Sequence, residues 1–330
     1  MLNPNLHLKD NTFDNPDAAP TRDGFGNGVV EAATHDPRIM VLCADLSEST
    51  RAQWFEKEFP DRFIEAGISE QNMAAVAAGL AAAGKVPFMA SYAMFNGGRN
   101  WEQIRTLLAL NNVHVIVCGM HAGVSVGPDG ATHQALEDIA IMRVIPNMTV
   151  IYACDAQEAR KAVLAVAAHG KPAYLRFARE KTPIMTTEHT PFEIGKAQTF
   201  LSAENPQATI FATGPLVYNA LVAAKEMGDE KVGVNVVNIA TIKPLDRDAI
   251  IEAARQTGAI VTVEEHQIAG GLGSAIAEVL AQVHPVPIEF IGVHDQFGQS
   301  GNPGELLEHY GMGVSHIKAA LRTVISRKLS

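Results

Sequence analysis

Short apolar runs alternate with amphipathic segments along the first half of the chain. The apolar runs predict strands at 39–45, 63–68, 87–92, 113–119, 148–153 and 173–177. The segments between them predict helices at 69–83, 98–110, 133–143 and 155–168, and Asp155 and Glu158 have the spacing of a capping box. Apolar strands separated by helices are typical of parallel βαβ units.

A second, shorter series follows a polar stretch that contains Thr and Pro residues. It predicts strands at 208–213, 233–238, 259–264 and 288–293, and helices at 216–227, 246–257, 273–283, 303–310 and 315–325. We therefore predict an α/β fold of two successive domains with mainly parallel sheets. The predicted limits are an N-terminal arm at 1–20, a first domain at 21–180, a linker at 181–193 and a second domain at 194–330.

Composition excludes several classes of protein. Apolar residues make up 47% of the 330 residues, which excludes a disordered chain, and the net charge of −10 argues against non-specific binding of nucleic acid or anionic membrane. Cys43, Cys118 and Cys154 are far apart, which predicts buried thiols rather than a zinc site or disulfides. Because no signal peptide or membrane span is recognisable, we expect a cytoplasmic protein.

The segment His121–His133 is the most unusual in the chain. It follows a predicted buried strand and contains Gly123, Gly127 and Gly130, with Asp129 between the last two. Ligands bind at the carboxyl ends of parallel strands, and glycines let the backbone approach a ligand closely. A ligand-binding loop and a plain turn both remain open on this pattern.

Glu70 also follows the end of a predicted strand. It could complement the dipole of the following helix, with Ser69 as the cap, or it could be a carboxyl group that exchanges a proton in the same crevice. Tyr92 and Phe95 follow the next strand and could be core residues or a wall for a flat ring.

Four other residues would suit a phosphate if they converged in space. Arginine offers a fork of donors and serine a hydroxyl; the candidates are Arg22, Ser49, His121 and Arg179. In the second domain, Glu264–His266 with Gly270–Ser274 is interpreted as a tight turn from strand to helix.

Taken together, these segments resemble the C-terminal half of a transketolase over about residues 20–325. GISEQNMAAVAAGLAAAGKVPFMASYAMF resembles the pyrimidine-binding domain of thiamine-diphosphate enzymes, and GPDGATHQALEDIAIMRVIPNM is similar to a transketolase segment. GLGSAIAE and HDQFGQSG resemble the C-terminal domain of the same family. The resemblance implies that these are the two predicted domains.

The resemblance also implies roles for single residues. Glu70, His121 and His133 match catalytic positions, and Glu70 is the glutamate that hydrogen-bonds N1′ of the aminopyrimidine. Phe95 matches the ring that stacks on the cofactor, with Tyr92 and Asp45 beside it. The implied substrate-binding residues are Arg22, Ser49, His121 and Arg179 for the phosphate, and Asp129 and His133 for the sugar hydroxyls.

Two departures from the family concern the pocket. Gly98 stands where the family usually has a tyrosine, and Arg99 falls one place earlier than the family's arginine. We therefore expect a more open pocket wall, or one completed by another chain. Ala131 replaces the usual proline of the loop, which is a minor change.

A larger departure is that no GDG motif occurs in the chain. Thiamine-diphosphate enzymes use this motif and a later asparagine to hold the diphosphate and Mg²⁺, so no metal ligands are expected here. The resemblance thus implies the C-terminal subunit of a split transketolase, which transfers a two-carbon ketol unit from a ketose phosphate to an aldose phosphate. A separate N-terminal subunit would share the thiamine diphosphate and supply the Mg²⁺ ligands, in an α2β2 heterotetramer.

Three alternatives remain at this point. The chain could have 1-deoxyxylulose-5-phosphate synthase-like activity, although that family normally has one long chain. It could be the E1 beta-type subunit of a 2-oxo acid dehydrogenase, whose substrates carry no phosphate. A non-catalytic regulatory half is the third, and the presence of Glu70 counts against it.

Overall fold

A computed structural model describes residues 1–328 of the chain. The first elements in chain order are β1 (Ala18–Pro20), α1 (Thr21–His35), β2 (Ile39–Cys43), α2 (Ser47–Thr50), α3 (Ala52–Glu58), β3 (Phe63–Glu65), α4 (Glu70–Ala82), β4 (Val86–Tyr92), α5 (Trp101–Gln103), β5 (Ile116–Met120), α6 (Asp138–Arg143), β6 (Thr149–Tyr152), α7 (Ala156–Ala167), β7 (Ala173–Arg176) and β8 (Lys181–Pro183). Met94–Arg99 and Ile104–Ala109 are π-helical, and Pro4–Leu6, Pro60–Arg62 and Val124–Asp129 are 3₁₀-helices.

The second half of the chain repeats the alternation of strands and helices. Its elements are β9 (Gln198–Leu201), β10 (Pro206–Ala212), α8 (Leu216–Asp229), β11 (Gly233–Asn238), β12 (Thr241–Lys243), α9 (Arg247–Thr257), β13 (Ile260–Gln267), α10 (Leu272–Val283), β14 (Ile288–Val293), α11 (Pro303–His309) and α12 (Val314–Lys328). None of the helices within residues 1–328 has the length and apolar character needed to cross a membrane.

Two mainly parallel sheets confirm the predicted α/β fold. The larger has seven strands in the order β12-β6-β7-β5-β4-β2-β3, and only β12 is antiparallel to its neighbour. The smaller has five strands in the order β14-β13-β10-β11-β9, with β9 antiparallel. Parallel strands covered by helices bury both faces, which is why their sequences are apolar runs rather than alternating patterns.

The two halves are joined by more than the connecting segment. Strand β12 of the second half pairs with β6 and extends the first sheet. One hydrophobic cluster is continuous between the sheets and includes Met89, Tyr152, Phe211 and Ile239. Strand β1, in the predicted arm, pairs with β8 at the start of the predicted linker. The predicted domain limits stay predictions, and the two predicted domains share a sheet and a core.

Some local predictions of helix caps and helix limits are confirmed and others are wrong. Asp155 Oδ1 accepts the Glu158 N–H at 2.8 Å, which confirms the predicted cap of α7. Ser69 precedes α4, but its hydroxyl donates to the Ala66 carbonyl oxygen at 2.6 Å and makes no cap hydrogen bond, so its predicted capping role is wrong. The helix predicted from 133 begins only at Asp138. The three cysteines are free and buried, as predicted.

Helix α1 is not predicted, because Gly24, Gly26 and Gly28 lower helix propensity. Its structural reason is close packing. A Cβ atom at Gly24 would overlap with the Ala156 carbonyl oxygen, and one at Gly28 would lie 2.9 Å from Val163 Cβ. The glycines therefore let α1 approach α7 more closely than any other residue would allow, and this contact covers one face of the first sheet.

We expect Gly24→Ala to lower the free energy of unfolding by about 1 to 3 kcal/mol, because the added methyl group meets backbone that cannot move away. Gly79→Ala is the matched control: Gly79 also lies in a helix, α4, and a Cβ atom there has open space. That control should raise stability by about 0.4 to 1 kcal/mol. Denaturant titration of both variants measures the difference, and equal effects would contradict the packing argument.

Candidate active site

The candidate site lies where parallel strands of the first sheet end. Tyr92 is the last residue of β4, His121 follows β5 directly, and Asp45 and Arg179 come shortly after β2 and β7. These four strands are adjacent and parallel, so their carboxyl ends share one edge of the sheet. The topology therefore brings together residues that are far apart in sequence.

Arg22, Ser49 and His121 converge at this edge. Arg22 Nη1 donates to the Ser49 carbonyl oxygen at 2.8 Å and contacts His121 Nε2 at 2.7 Å. His121 is buried and has φ 53°, a left-handed conformation that non-glycine residues rarely adopt. Because strained residues of this kind cluster at functional sites, the geometry favours the functional interpretation of the loop.

The charge state of His121 follows from its surroundings. Burial, with the nearby Arg22 and Arg179, lowers the pKa of His121 to about 3, so the ring is neutral at pH 7. Arginine can only donate, so Nε2 accepts from Arg22 and Nδ1 carries the proton. Within residues 1–328, His121 Nδ1 and Arg22 Nε are buried without a hydrogen-bond partner. Two donors without an acceptor fit an anionic ligand.

An aromatic cluster adjoins these groups. The Tyr92 ring stacks on His121 at 4.3 Å between centroids and on Phe95 at 6.0 Å. The His133 ring meets Phe95 edge-on at 5.2 Å. Tyr92, Phe95 and His133 are half-buried, so the cluster presents part of its surface to solvent. The sequence leaves two interpretations open for Tyr92 and Phe95, core residues and an aromatic wall; the partly exposed rings favour the wall, which also includes both loop histidines.

Glu70 begins α4, and its side chain is only 2% exposed. Arg99 Nη1 donates to Glu70 Oε2 at 2.8 Å, and the Arg99 guanidinium carbon lies 4.9 Å from the centroid of the Phe95 ring. A planar cation thus occupies the space between the carboxylate and the aromatic face. Glu70 and Phe95 can therefore hold a flat group that donates hydrogen bonds.

Gly98 leaves the wall of this pocket open. A Cβ atom at Gly98 would meet only the Met94 methyl group, at 3.7 Å. The π-helical segment Met94–Arg99 carries Gly98 and Arg99 together, and its wide turn directs Arg99 to Glu70. The sequence predicts either a more open wall or one completed by another chain, and within the described residues no side chain takes the place of the missing tyrosine at Gly98.

The two predicted carboxylates of the site, Asp45 and Asp129, have few contacts with the other site residues. Asp45 and Asp129 are exposed, and their carboxylates form no hydrogen bond or ion pair within the described part of the chain. Asp45 has φ 57°, and its N–H donates to Glu65 Oε1 at 2.8 Å. Arg179 Nη1 donates to the Val126 carbonyl oxygen at 2.8 Å, so its guanidinium is fixed to the loop.

No group of three or more His, Cys, Asp or Glu side chains in residues 1–328 could hold a metal ion.

Comparison with known proteins identifies the family. The family model for the transketolase pyrimidine-binding domain matches residues 17–185, and that for the transketolase C-terminal domain matches residues 195–317. The chain belongs to the transketolase family. Its site residues up to Arg179 lie in the segment that matches the pyrimidine-binding domain.

Two transketolase relatives match this chain over nearly their whole length. The 6-deoxy-6-sulfo-D-fructose transketolase subunit SqwH of Clostridium sp. (strain MSTE9) is 39% identical over 307 residues, 93% of this chain and 95% of the relative. One of the subunits of the apulose-4-phosphate transketolase of Phocaeicola vulgatus is 37% identical over 305 residues, 92% and 97% of the two chains. By contrast, the chain spans about half of the mammalian transketolases it matches, 49% or 50%.

A solved structure shares the whole fold. It is described as a split gene transketolase in an inactive beta4 tetramer, and it matches with a TM-score of 0.87 and 42% identity. The match covers 94% of this chain and 99% of that one.

The sequence did not reveal the contact between Arg99 and Glu70 of this transketolase-family chain. The one hint of this contact in the sequence was that Arg99 lies one position earlier than the family's arginine. The orientation of its side chain depends on the π-helical turn, which has no simple sequence pattern.

We expect Arg22→Met to raise the pKa of His121, because Arg22 is the strongest of the nearby charges that lower it. Ring NMR signals would measure the titration, with Arg38→Met, an exposed and distant arginine, as the control. In the wild type, the unfolded chain binds a proton at His121 near pH 6.5 while the folded chain does not, so this residue costs stability as the pH falls. An unchanged titration in Arg22→Met would contradict the observed contact.

Proposed function

We propose that this chain is the C-terminal subunit of a two-chain transketolase. With a separate N-terminal subunit, it transfers a two-carbon ketol unit between a ketose phosphate and an aldose phosphate. The observation that carries the proposal is the common location of Glu70, the aromatic wall and the Arg22–His121 pair at one edge of the first sheet.

The family implies thiamine diphosphate, and the pocket fits its aminopyrimidine. The planar Arg99 guanidinium already makes the two contacts that this ring needs, an ionic hydrogen bond with Glu70 and a face contact with Phe95. Glu70 would hold N1′, while Phe95 and Tyr92 would flank the ring and Asp45 would lie near it. When bound, the cofactor supplies the nucleophilic carbon and the electron sink of the reaction.

The substrate would bind beside the aromatic wall. Arg22, Ser49, His121 and Arg179 would hold its terminal phosphate, because the unpaired Arg22 Nε and His121 Nδ1 donors suit phosphate oxygens. Asp129 and His133 would face the sugar hydroxyls. His121 is neutral, so it would orient the substrate by donating a hydrogen bond from Nδ1 without carrying a fixed charge.

Support for a partner comes from two relatives that are named as transketolase subunits and match this chain over nearly their whole length. The GDG motif that holds the diphosphate in thiamine-diphosphate enzymes does not occur in the sequence. We propose that an N-terminal subunit supplies the diphosphate-binding domain and the Mg²⁺ ligands, in an α2β2 heterotetramer. Two of the relatives matched over nearly their whole length are named for 6-deoxy-6-sulfo-D-fructose and apulose-4-phosphate, and Gly98 leaves space for such substrates. A cytoplasmic location and a pentose phosphate substrate stay predictions.

The deciding experiment is calorimetric titration of thiamine diphosphate with Mg²⁺, on this chain alone and mixed with the N-terminal subunit. We expect tight binding and ketol transfer only in the mixture, because half of the cofactor site belongs to the partner. Glu70→Ala in the mixture should lower turnover by about 100-fold or more. Glu102→Ala, in the exposed part of α5, is the matched control and should keep wild-type turnover.

Tight cofactor binding by this chain alone would contradict the two-chain proposal. Wild-type turnover in Glu70→Ala would remove the cofactor role of this residue. Circular dichroism and gel filtration of the variant, with the partner present, separate a loss of chemistry from a loss of folding or assembly.

We further expect Arg99→Met to tighten binding of thiamine diphosphate by the assembled enzyme by about two- to fivefold, because the half-exposed Arg99 guanidinium no longer competes for the buried Glu70 carboxylate. Arg99→Lys keeps the charge without the planar fork and should lie between the two. Arg105→Met, in the adjacent Ile104–Ala109 segment, controls for the loss of one positive charge. Weaker binding in Arg99→Met would show instead that this arginine contacts the cofactor.

A further inference from the structure

The loop that carries the substrate residues is fixed by the second half of the chain. Ser125, at the start of the Val124–Asp129 turn, donates its N–H to Glu265 Oε1 on β13 at 2.6 Å. Gln134, at the other end of the loop, donates from Nε2 to the Gln299 carbonyl oxygen at 2.9 Å. Ser125, Gln134 and Glu265 are all buried, so these contacts are largely shielded from bulk solvent.

The glycines of the loop serve this contact. Gly123 has φ 87°, and a Cβ atom there would overlap with the Glu265 carboxylate. At Gly130, which has φ 73°, a Cβ atom would lie 2.6 Å from Ser300 Oγ. The glycine pattern that the sequence left open as ligand loop or plain turn therefore lets the loop lie against the second half of the chain.

Apolar packing covers only part of the loop. Val124 is buried in the apolar cluster that also contains Leu306 of α11, whereas a cleft of about 360 Å³, lined by Ser125, Glu265 and Pro303, lies between the loop and helices α8 and α11. On the side of this cleft, the Glu265 carboxylate contacts the backbone of the turn at Ser125. A charge-assisted hydrogen bond between buried groups is also stronger than one between neutral groups.

The Val124–Asp129 turn also fixes the position of Arg179. The Val126 carbonyl oxygen, one residue after Ser125, accepts from Arg179 Nη1 at 2.8 Å. A continuous series of contacts thus runs from Glu265 through Ser125 and Val126 to a guanidinium beside His121. None of the residues assigned to the site lies on β13, so Glu265 acts only through the loop.

We propose that Glu265 is a positioning residue for substrate binding: its carboxylate holds the Val124–Asp129 turn and thereby sets where Arg179, Asp129 and His133 face the sugar phosphate. This inference rests on the proposed function for its kinetic part. The tether itself is a property of this chain and is measurable without turnover.

Glu264 provides the matched control. It is the preceding residue on β13, it is also 1% exposed, and its carboxylate accepts the N–H groups of Leu272 and Gly273 at 2.7 and 2.8 Å. It therefore ties α10 to β13 and does not contact the loop. Removing either carboxylate takes a buried acceptor from β13, but only the loss of Glu265 releases the loop.

The kinetic test compares Glu265→Ala, Glu265→Gln and Glu264→Ala in the assembled enzyme. We expect Glu265→Ala to raise KM for phosphorylated sugars by about tenfold, with a smaller change in kcat and in KM for unphosphorylated sugars. Glu265→Gln keeps an acceptor oxygen and should restore most of this loss. Glu264→Ala should leave KM unchanged. Equal KM changes in Glu264→Ala and Glu265→Ala, or no change in either, would overturn the proposal.

Amide hydrogen exchange of the wild-type chain tests the tether even if Glu265→Ala does not fold. The Ser125 amide should exchange as slowly as the amides of β13. Glu265→Gln keeps an acceptor oxygen that is weaker than a carboxylate, so it should speed this exchange slightly, and more than Glu264→Gln does. Rapid exchange at Ser125 in the wild type would overturn the tether. If the assembled wild type shows no ketol transfer, the proposed function fails, and slow exchange at Ser125 still supports the tether.

Discussion

The buried ion pair between Arg176 and Asp138 is the interaction on which the arrangement of the site depends. Arg176 Nε donates to Asp138 Oδ2 at 2.8 Å, and Nη2 donates to the carbonyl oxygens of Ala135 and Glu265, both at 3.0 Å. The guanidinium also lies over the Tyr152 ring at 4.4 Å. One side chain therefore connects β7, the end of the substrate loop, α6 and β13. Removing one member of a fully buried pair leaves an uncompensated charge, so evolution can replace the pair only as a whole.

The Arg176–Asp138 pair shows how both halves of the chain hold the site in place. The residues assigned to the site come from the first half, but Arg176 connects them to β13 in the second half. Hydrogen-bonded ladders of parallel strands fix Tyr92 and the end of β5 directly before His121. The loop beyond β5 is held by a bridge between Ala122 and Ala135 and by groups in the second half. The rigid edge of the sheet and a loop tied to the second half of the chain form a surface that needs little reorganisation when a ligand binds.

Much of this architecture could be predicted from the sequence, because buried parallel strands are apolar runs and the motifs around Glu70 and His133 are specific. Helix α1 could not be predicted, since its glycines serve contacts with α7 that are distant in sequence. Spacing alone could not show whether the phosphate candidates Arg22, Ser49, His121 and Arg179 lie together; in the structure Arg22 contacts His121 and the carbonyl oxygen of Ser49. Glu265 looked like part of a plain turn, because a buried acceptor for a loop amide leaves no local pattern. Side-chain partners across elements are set by tertiary packing, and sequence spacing does not encode them.

Strand β12 crosses from the second half into the first sheet, where it covers the edge of β6. A fragment that ends before Thr241 would expose that edge, and exposed strand edges associate with one another. Recombination between related genes would have to carry a compatible β12 together with the sheet that it completes. The two halves are therefore inherited and engineered as one piece, and productive crossover points lie outside the segment from β6 to β12.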